Sequence, residues 1–146
     1  MMRKGVNHTS EGWTVMSEHP DCALIRRGYE AFGKGDMETL GGMMTADVIH
    51  HVPGTSPLSG HHKGREAVLD LYRRMAEETK GTLRVTLERV LVDGRGHAMS
   101  FHTTMADRGD RGIEIHEGLF FTIVGGKITD IDQCTQDIDE SDAFWS

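Results

Sequence analysis

The sequence predicts an α+β fold in which a curved antiparallel sheet forms a cone and three N-terminal helices wrap around it. Apolar residues recur at helical spacing in the first half of the chain, whereas the second half holds four long segments typical of strands. Only short turns rich in glycine and aspartate separate these segments, so neighbouring strands must run antiparallel. A long, twisted sheet with helices on one face can enclose a space that holds a ligand.

The three helices are predicted from caps and apolar periodicity. Asp21 caps the first helix, whose apolar residues recur as far as Gly33, and Asp36 caps a short second helix. A strand over Val48 to Val52 follows. The third helix is predicted from about Arg65 to Thr79, because its apolar residues fall at i, i+3, i+4 and i+7. These residues are Val68, Leu71, Tyr72 and Met75.

Four strands make up the rest of the predicted sheet. They cover Leu83 to Val92, His97 to Asp107, Ile113 to Val124 and Lys127 to Gln136. The predicted order is therefore ααβα followed by a four-strand meander.

The length and the charge of the chain limit the number of domains and the kinds of partner that can be expected. A chain of 146 residues is expected to form one domain. Residues 1–20 lack apolar periodicity, so we expect a disordered or loosely packed extension before a single domain over residues 21–146, and both Met1 and Met16 are candidate starts. The formal net charge is −7, and no run of Lys or Arg suggests a nucleic-acid partner.

A cytoplasmic protein without a membrane span is expected. The longest mainly apolar run has the length of a strand, far below the roughly 20 residues that a membrane helix needs. The N-terminus shows no export signal, and only Cys22 and Cys134 are present, so a disulfide framework is not expected.

Four motifs follow one another along the chain: Gly35-Asp36, Pro53 to Gly60, Gly125 to Thr129 and Asp142 to Trp145. In this order they resemble the SnoaL-like branch of the nuclear transport factor 2-like superfamily, which includes polyketide cyclases and ketosteroid isomerase, and the resemblance covers Asp21 to Trp145. The resemblance implies a cystatin-like fold and a small-molecule site inside the cone.

The leading catalytic candidate is a histidine on the strand before the Pro- and Gly-rich turn. Side chains alternate along a strand, so only one of His50 and His51 faces the helices. The ketosteroid isomerase pattern implies His51, because that family keeps its base six residues before the proline that matches Pro57. An imidazole exchanges protons near neutral pH without strong tuning.

Further site candidates lie on the meander strands and on the first helix. Ser100, His102 and Thr104 alternate along one face, which is expected to face the cone. The resemblance implies that Gln133 takes the place of the catalytic aspartate of SnoaL-like cyclases, and that Tyr29 lies next to the position of an oxyanion-donating tyrosine. We expect His102 to act in catalysis and Tyr29, Thr104 and Gln133 to bind substrate.

His116 and Glu117 are adjacent on the third meander strand, so only one of them can face a ligand. A regular register points Glu117 inward as a catalytic group, whereas a bulge at Gly118 would present His116 for substrate binding instead.

These residues together predict a cofactor-independent cyclase, isomerase or lyase that uses general acid–base chemistry on an apolar oxygenated molecule, such as a polyketide intermediate. A non-catalytic ligand-binding protein of the same fold is the first alternative. A dehydratase is the second, with His51 and His102 on one shared water. No metal site is expected, because neighbouring strand side chains diverge and His61 and His62 are predicted to lie in a polar loop.

A homodimer through the sheet is also expected. Met99, Phe101 and Met105 alternate opposite to the predicted cone side, and an open apolar sheet face is usually covered.

Overall fold

The computed structural model describes residues 18–146. Its elements are α1 (Pro20–Lys34), α2 (Met37–Gly42), β1 (Met44–Val52), β2 (Gly60–Lys63), α3 (Arg65–Glu78), β3 (Arg84–Val92), β4 (His97–Arg108), β5 (Arg111–Val124), β6 (Lys127–Thr135) and α4 (Ile138–Trp145). The three predicted helices and the four-strand meander are confirmed. The predicted extension over residues 1–20 lies almost wholly outside the described residues, as does the candidate start at Met16.

Helix α1 begins before its predicted cap. Asp21 is not the N-cap: His19 holds that position, and its Nδ1 accepts a hydrogen bond of 3.1 Å from the backbone N–H of Asp21. Pro20 takes the first helical position because it lacks the N–H that would be left unpaired there. The helix ends at Gly35, whose left-handed φ of 69° favours glycine. The predicted cap of α2 is confirmed, since the side chain of Asp36 accepts from the backbone N–H of Thr39.

Six strands form one curved sheet in the order β2-β1-β6-β5-β4-β3. The meander β3 to β6 is antiparallel throughout, as the short turns predict. Strand β1 pairs with β6 in parallel, a long-range pairing that no local turn indicates. Strand β2 corrects the prediction of a polar loop at His61 and His62, because this short segment pairs with β1 despite its polar composition.

The helices cover one face of the sheet and leave the other open. Ile25 of α1, Val68 of α3, Val48 of β1 and Ile131 of β6 are fully buried where the two layers meet. Burying one such side chain contributes roughly 1.5–3 kcal/mol, so this layer holds the sheet in its curved form. Met99, Phe101 and Met105 are exposed on the open face, as their alternation predicts.

The C-terminal helix α4 was not predicted from the sequence. It contacts two segments that are distant in the chain, the Pro- and Gly-rich turn and strand β5. The carboxylate of Asp142 accepts from the backbone N–H groups of Thr55 and Ser56, each at about 3.0 to 3.1 Å, and so fixes the Pro- and Gly-rich turn. Phe144 is buried in a second apolar cluster with Ile113 of β5. The acidic C-terminus is therefore a structural cap on one end of the sheet.

Two further observations bear on the class of protein. Among residues 18–146, no helix combines the length and the apolar character that crossing a bilayer requires. Cys22 and Cys134 are both free thiols.

Candidate functional site

A cavity of about 100 Å³ lies between the helices and the curved sheet. An enclosed apolar cavity of roughly 150 Å³ can hold a benzene molecule. This space is smaller but partly open to solvent, so it suits one end of a molecule that extends through the opening. Its walls are mainly apolar, and the side chains of α1, α2, α3 and the strands contribute to them. The apolar lining residues are Ile25, Phe32, Leu40, Met43, Met44, Met75, Val85, Leu119, Phe121, Ile128 and Ile131. The polar ones are Tyr29, His50, Tyr72, His102, Thr104, Glu117 and Gln133.

The histidine of β1 that faces the cavity is His50, and the prediction of His51 is wrong. His50 is only 4% exposed and lines the cavity. His51 lies on the opposite face of the sheet, where its Nδ1 meets Nδ1 of His61 and its Nε2 lies 3.4 Å from Oδ1 of Asp130. The count from Pro57 crosses a loop, and an error of one residue turns a strand side chain to the other face.

This correction also removes the predicted pair of His51 and His102 on one shared water. The two histidines that line the cavity are His50 and His102.

The imidazole of His50 is held by two side chains. Its Nδ1 lies 2.9 Å from the hydroxyl of Tyr72, and its Nε2 lies 2.9 Å from Oε1 of Gln133. Burial lowers the pKa of His50 to about 4, which leaves the ring neutral at pH 7. A neutral ring with Nε2–H donating to the Gln133 carbonyl oxygen and Nδ1 accepting from Tyr72 satisfies both contacts.

Glu117 points into the cavity, as a regular strand register predicts. Its Oε1 accepts a hydrogen bond of 3.0 Å from the hydroxyl of Thr104, and its Oε2 accepts one of 3.2 Å from Nε2 of Gln133. Nε2 of His102 lies 3.4 Å from Oε1, and the side chains of His102 and Glu117 are only 6% and 9% exposed. Three donors converge on one carboxyl group in a nearly buried site.

His116 does not reach the cavity, so its predicted role in substrate binding is wrong. Strands β4 and β5 pair without a shift from His97 to Arg108, and no bulge forms at Gly118. His116 therefore faces the open side of the sheet, where its Nδ1 lies 3.0 Å from the hydroxyl of Thr103.

Tyr29 reaches the cavity from α1 and orients His102. Its hydroxyl lies 2.6 Å from Nδ1 of His102 and 2.7 Å from the hydroxyl of Ser100. Burial raises the pKa of Tyr29 well above its ordinary value of 10, so the phenol keeps its proton. When Tyr29 donates to Nδ1, the proton of the ring lies on Nε2 and points to Glu117. The inward positions predicted for Ser100, His102 and Thr104 are confirmed.

The polar side chains form one hydrogen-bonded row across the cavity. The row runs from Tyr72 through His50 and Gln133 to Glu117, and from Glu117 through His102 to Tyr29. It joins the carboxylate of Glu117 and two imidazole rings to hydroxyl and amide donors inside an otherwise apolar space. Such a set can take up a proton from a bound molecule and stabilise the negative charge that results.

Tyr72 is the member of this row that sequence reasoning missed as a functional residue. It lies on the apolar stripe of α3, where an aromatic side chain is expected in the core. Burial raises the pKa of its hydroxyl well above the ordinary value, so Tyr72 stays a donor. No local signal could have paired it with His50, which is 22 residues away on another element.

Metal ligands do not converge in the part of the chain that the structure describes. No group of three or more His, Cys, Asp or Glu side chains has a geometry that could hold a metal ion there. His61 and His62 point to different sides of β2, where His62 contacts the backbone carbonyl of Leu58.

Comparisons with known proteins agree with this architecture. The model of the SnoaL-like domain family matches residues 25–131. An uncharacterised protein of Mycobacterium tuberculosis strain H37Rv is 30% identical over 131 residues, which cover 90% of this chain and 100% of that protein.

Solved structures share the fold over almost the whole described region. Bal32a, from a soil-derived mobile gene cassette, has a TM-score of 0.85 and 33% identity, covering 87% of this chain and 97% of Bal32a. A candidate SnoaL-like polyketide cyclase from Jannaschia sp. CCS1 has a TM-score of 0.72 and 14% identity, covering 87% of this chain and 92% of that protein. At that identity the second similarity shows the fold alone.

Proposed function

Because this chain belongs to the SnoaL-like domain family, we propose that it is a cofactor-independent enzyme of cyclase, isomerase or lyase type. It acts by general acid–base chemistry on an apolar oxygenated molecule, such as a polyketide intermediate, bound in the cavity. The family match accounts for the fold and the cavity, whereas the chemistry is argued from the side chains of this chain.

One observation carries the proposal: the nearly buried pair of Glu117 and His102 at the polar end of an apolar cavity. Burying a carboxyl group costs free energy unless donors satisfy it, and here Thr104, Gln133 and His102 do so. Ligand sites of this kind combine apolar walls with a few converging polar groups. A structural core position would be filled at lower cost by an apolar side chain.

The proposed reaction begins with a substrate C–H bond next to a carbonyl group. Glu117 accepts the proton, the electrons of the C–H bond form a C=C bond, and the carbonyl π electrons move to oxygen. The resulting enolate oxygen accepts a hydrogen bond from the second N–H of the Gln133 amide, whose first N–H contacts Glu117. Tyr29 donates its O–H to His102 and so orients that ring beside the substrate. His50 stays neutral and keeps Gln133 in position rather than exchanging the proton itself.

Three outcomes are open to such an enolate. Return of the proton to a different carbon completes an isomerisation. Loss of a hydroxyl group from the β-carbon, with the same proton, completes a dehydration. Attack of the enolate carbon on a second carbonyl group forms a C–C bond and closes a ring, and the carbonyl oxygen that becomes an alkoxide takes the proton back from Glu117.

The exchange of α-protons tests the first step without knowledge of the natural substrate. Cyclohexanone in D₂O is followed by ¹H NMR as its α-protons are replaced by deuterium. We expect the protein to accelerate this exchange, and we expect Glu117→Gln to lower the catalysed rate by about 100-fold, within the range that a positioned base supplies. Glu114→Gln is the matched control, because Glu114 lies on the same strand but is exposed.

A catalysed rate that is unchanged in Glu117→Gln contradicts the proposed role of this carboxylate. A wild-type rate equal to that of the buffer, together with binding of cyclohexanone in the cavity, favours a non-catalytic binding protein. The row itself supports this second candidate, because each of its polar side chains already has a partner in the structure.

The open face of the sheet supports a homodimer as part of the proposal. Met99 of β4 pairs with Phe120 of β5 and Leu91 of β3. Phe101 and Met105 lie further along the same face of β4, and all five side chains are exposed. A second copy of the chain would cover this apolar surface. A cytoplasmic location also stays a prediction, and the two free thiols support it.

A further inference from the structure

The charges around the cavity are unbalanced. Among the described residues that line it, Glu117 is the one acidic side chain, and none is lysine or arginine. His50 is neutral at pH 7 because burial lowers its pKa to about 4. His102 touches Glu117, so this pair carries a net charge of minus one or zero, whichever state the imidazole is in. The cavity therefore has no net positive charge to offer a ligand.

The hydrogen-bonding groups of the cavity also disfavour a negatively charged ligand. The carboxylate of Glu117 only accepts hydrogen bonds, and it already draws in the donors around it, from Thr104 and Gln133. A ligand that donates a hydrogen bond can join or replace these donors. A ligand that brings a second carboxylate into the same apolar space would leave a buried charge without a partner.

We infer that the cavity selects uncharged ligands over carboxylates, with Glu117 as the residue that determines this specificity. Among uncharged ligands it favours those that also donate a hydrogen bond, such as amides, alcohols and phenols. The inference rests on the proposed use of the cavity as a small-molecule site, and it does not depend on catalysis.

The expected effect is large enough to measure. Two like charges about 4 to 6 Å apart, at the effective dielectric constant of about 20 that fits protein sites, weaken binding on the order of 100-fold or more. Screening by salt is small here, because Glu117 is nearly buried.

Benzamide and benzoate test the inference, since they have nearly the same shape and differ in charge. Each compound is titrated into the ¹⁵N-labelled wild-type protein at pH 7, and dissociation constants are taken from the shifts of backbone amides that line the cavity. We expect benzoate to bind on the order of 100-fold more weakly than benzamide. In Glu117→Gln the preference should fall to below about 10-fold, whereas the exposed control Glu114→Gln should keep it.

The outcomes separate this inference from the proposed function. Equal binding of both compounds to the wild-type protein overturns the inference and leaves the proposed site standing. A preference that persists unchanged in Glu117→Gln overturns the role of Glu117. Absence of binding by both compounds overturns the inference and the proposed site together. A melting curve confirms that the variant is folded, and Glu117→Leu provides a second uncharged variant where glutamine lowers stability.

Discussion

Replacing His50 with glutamine should remove a large part of the pH dependence of stability between pH 7 and pH 5. Burial lowers the pKa of this histidine from 6.5 to about 4 in the folded protein, whereas the unfolded chain keeps the ordinary value. The unfolded state therefore binds a proton that the folded state rejects, and stability falls as the pH drops from 6.5 towards 4. The stabilisation is fully present above pH 6.5.

The size of the effect follows from the pKa difference. A shift of about 2.5 units corresponds to about 3 kcal/mol over the whole range, of which about 2 kcal/mol should be lost between pH 7 and pH 5. Urea unfolding at both pH values measures this loss. The loss in the wild-type protein should exceed that in His50→Gln by about 2 kcal/mol. His116→Gln serves as the control, because His116 is exposed on β5 and contacts the uncharged hydroxyl of Thr103.

An equal loss of stability in the wild-type protein and in His50→Gln would contradict a lowered pKa of His50. That result would mean that His50 is protonated in the folded protein as readily as in the unfolded chain. The ring would then not be buried and neutral beside the cavity.

Three other substitutions test the fold and the assembly. Gly96→Ala should lower the free energy of unfolding by about 2 kcal/mol or more, because at a φ of 97° the added Cβ would lie 2.7 Å from a backbone carbonyl oxygen. Gly94→Ala is the control, since it has open space around it and should lower that free energy by about 1 kcal/mol. Urea unfolding measures both. Asp142→Ala should lower stability by about 1–2 kcal/mol and speed hydrogen exchange at the amide of Thr55, and unchanged exchange would exclude the cap. Phe101→Glu should convert a dimer into monomers in analytical ultracentrifugation without unfolding, and a wild-type protein that sediments as a monomer at high concentration would contradict the proposed interface.

The parts of the fold that could be predicted from the sequence depend on local patterns. The apolar stripe of α3 and the short turns between β3 and β6 are each contained in a few neighbouring residues. The alternation along β4 and β5 was enough to predict that His102 and Glu117 face the cavity, because the two strands pair without a shift along their shared length. The resemblance to the SnoaL-like family is confirmed by the family match over residues 25–131.

The parts that could not be predicted depend on contacts between distant residues. His50 and His51 differ by one residue, and alternation alone cannot tell which of the two faces the core. The contact of Tyr72 with His50 and the parallel pairing of β1 with β6 arise only when separate elements meet. Helix α4 is short and acidic, so its role as a cap becomes visible only through the contacts of Asp142.

A crystal structure of the protein with benzamide shows whether the cavity is a ligand site. We expect the ring to lie among the apolar side chains of the cavity and the amide to donate a hydrogen bond to the carboxylate of Glu117, near His102 and Gln133. Benzamide bound only on the outer surface, or a cavity closed by the side chains around it, would contradict a ligand site beside Glu117.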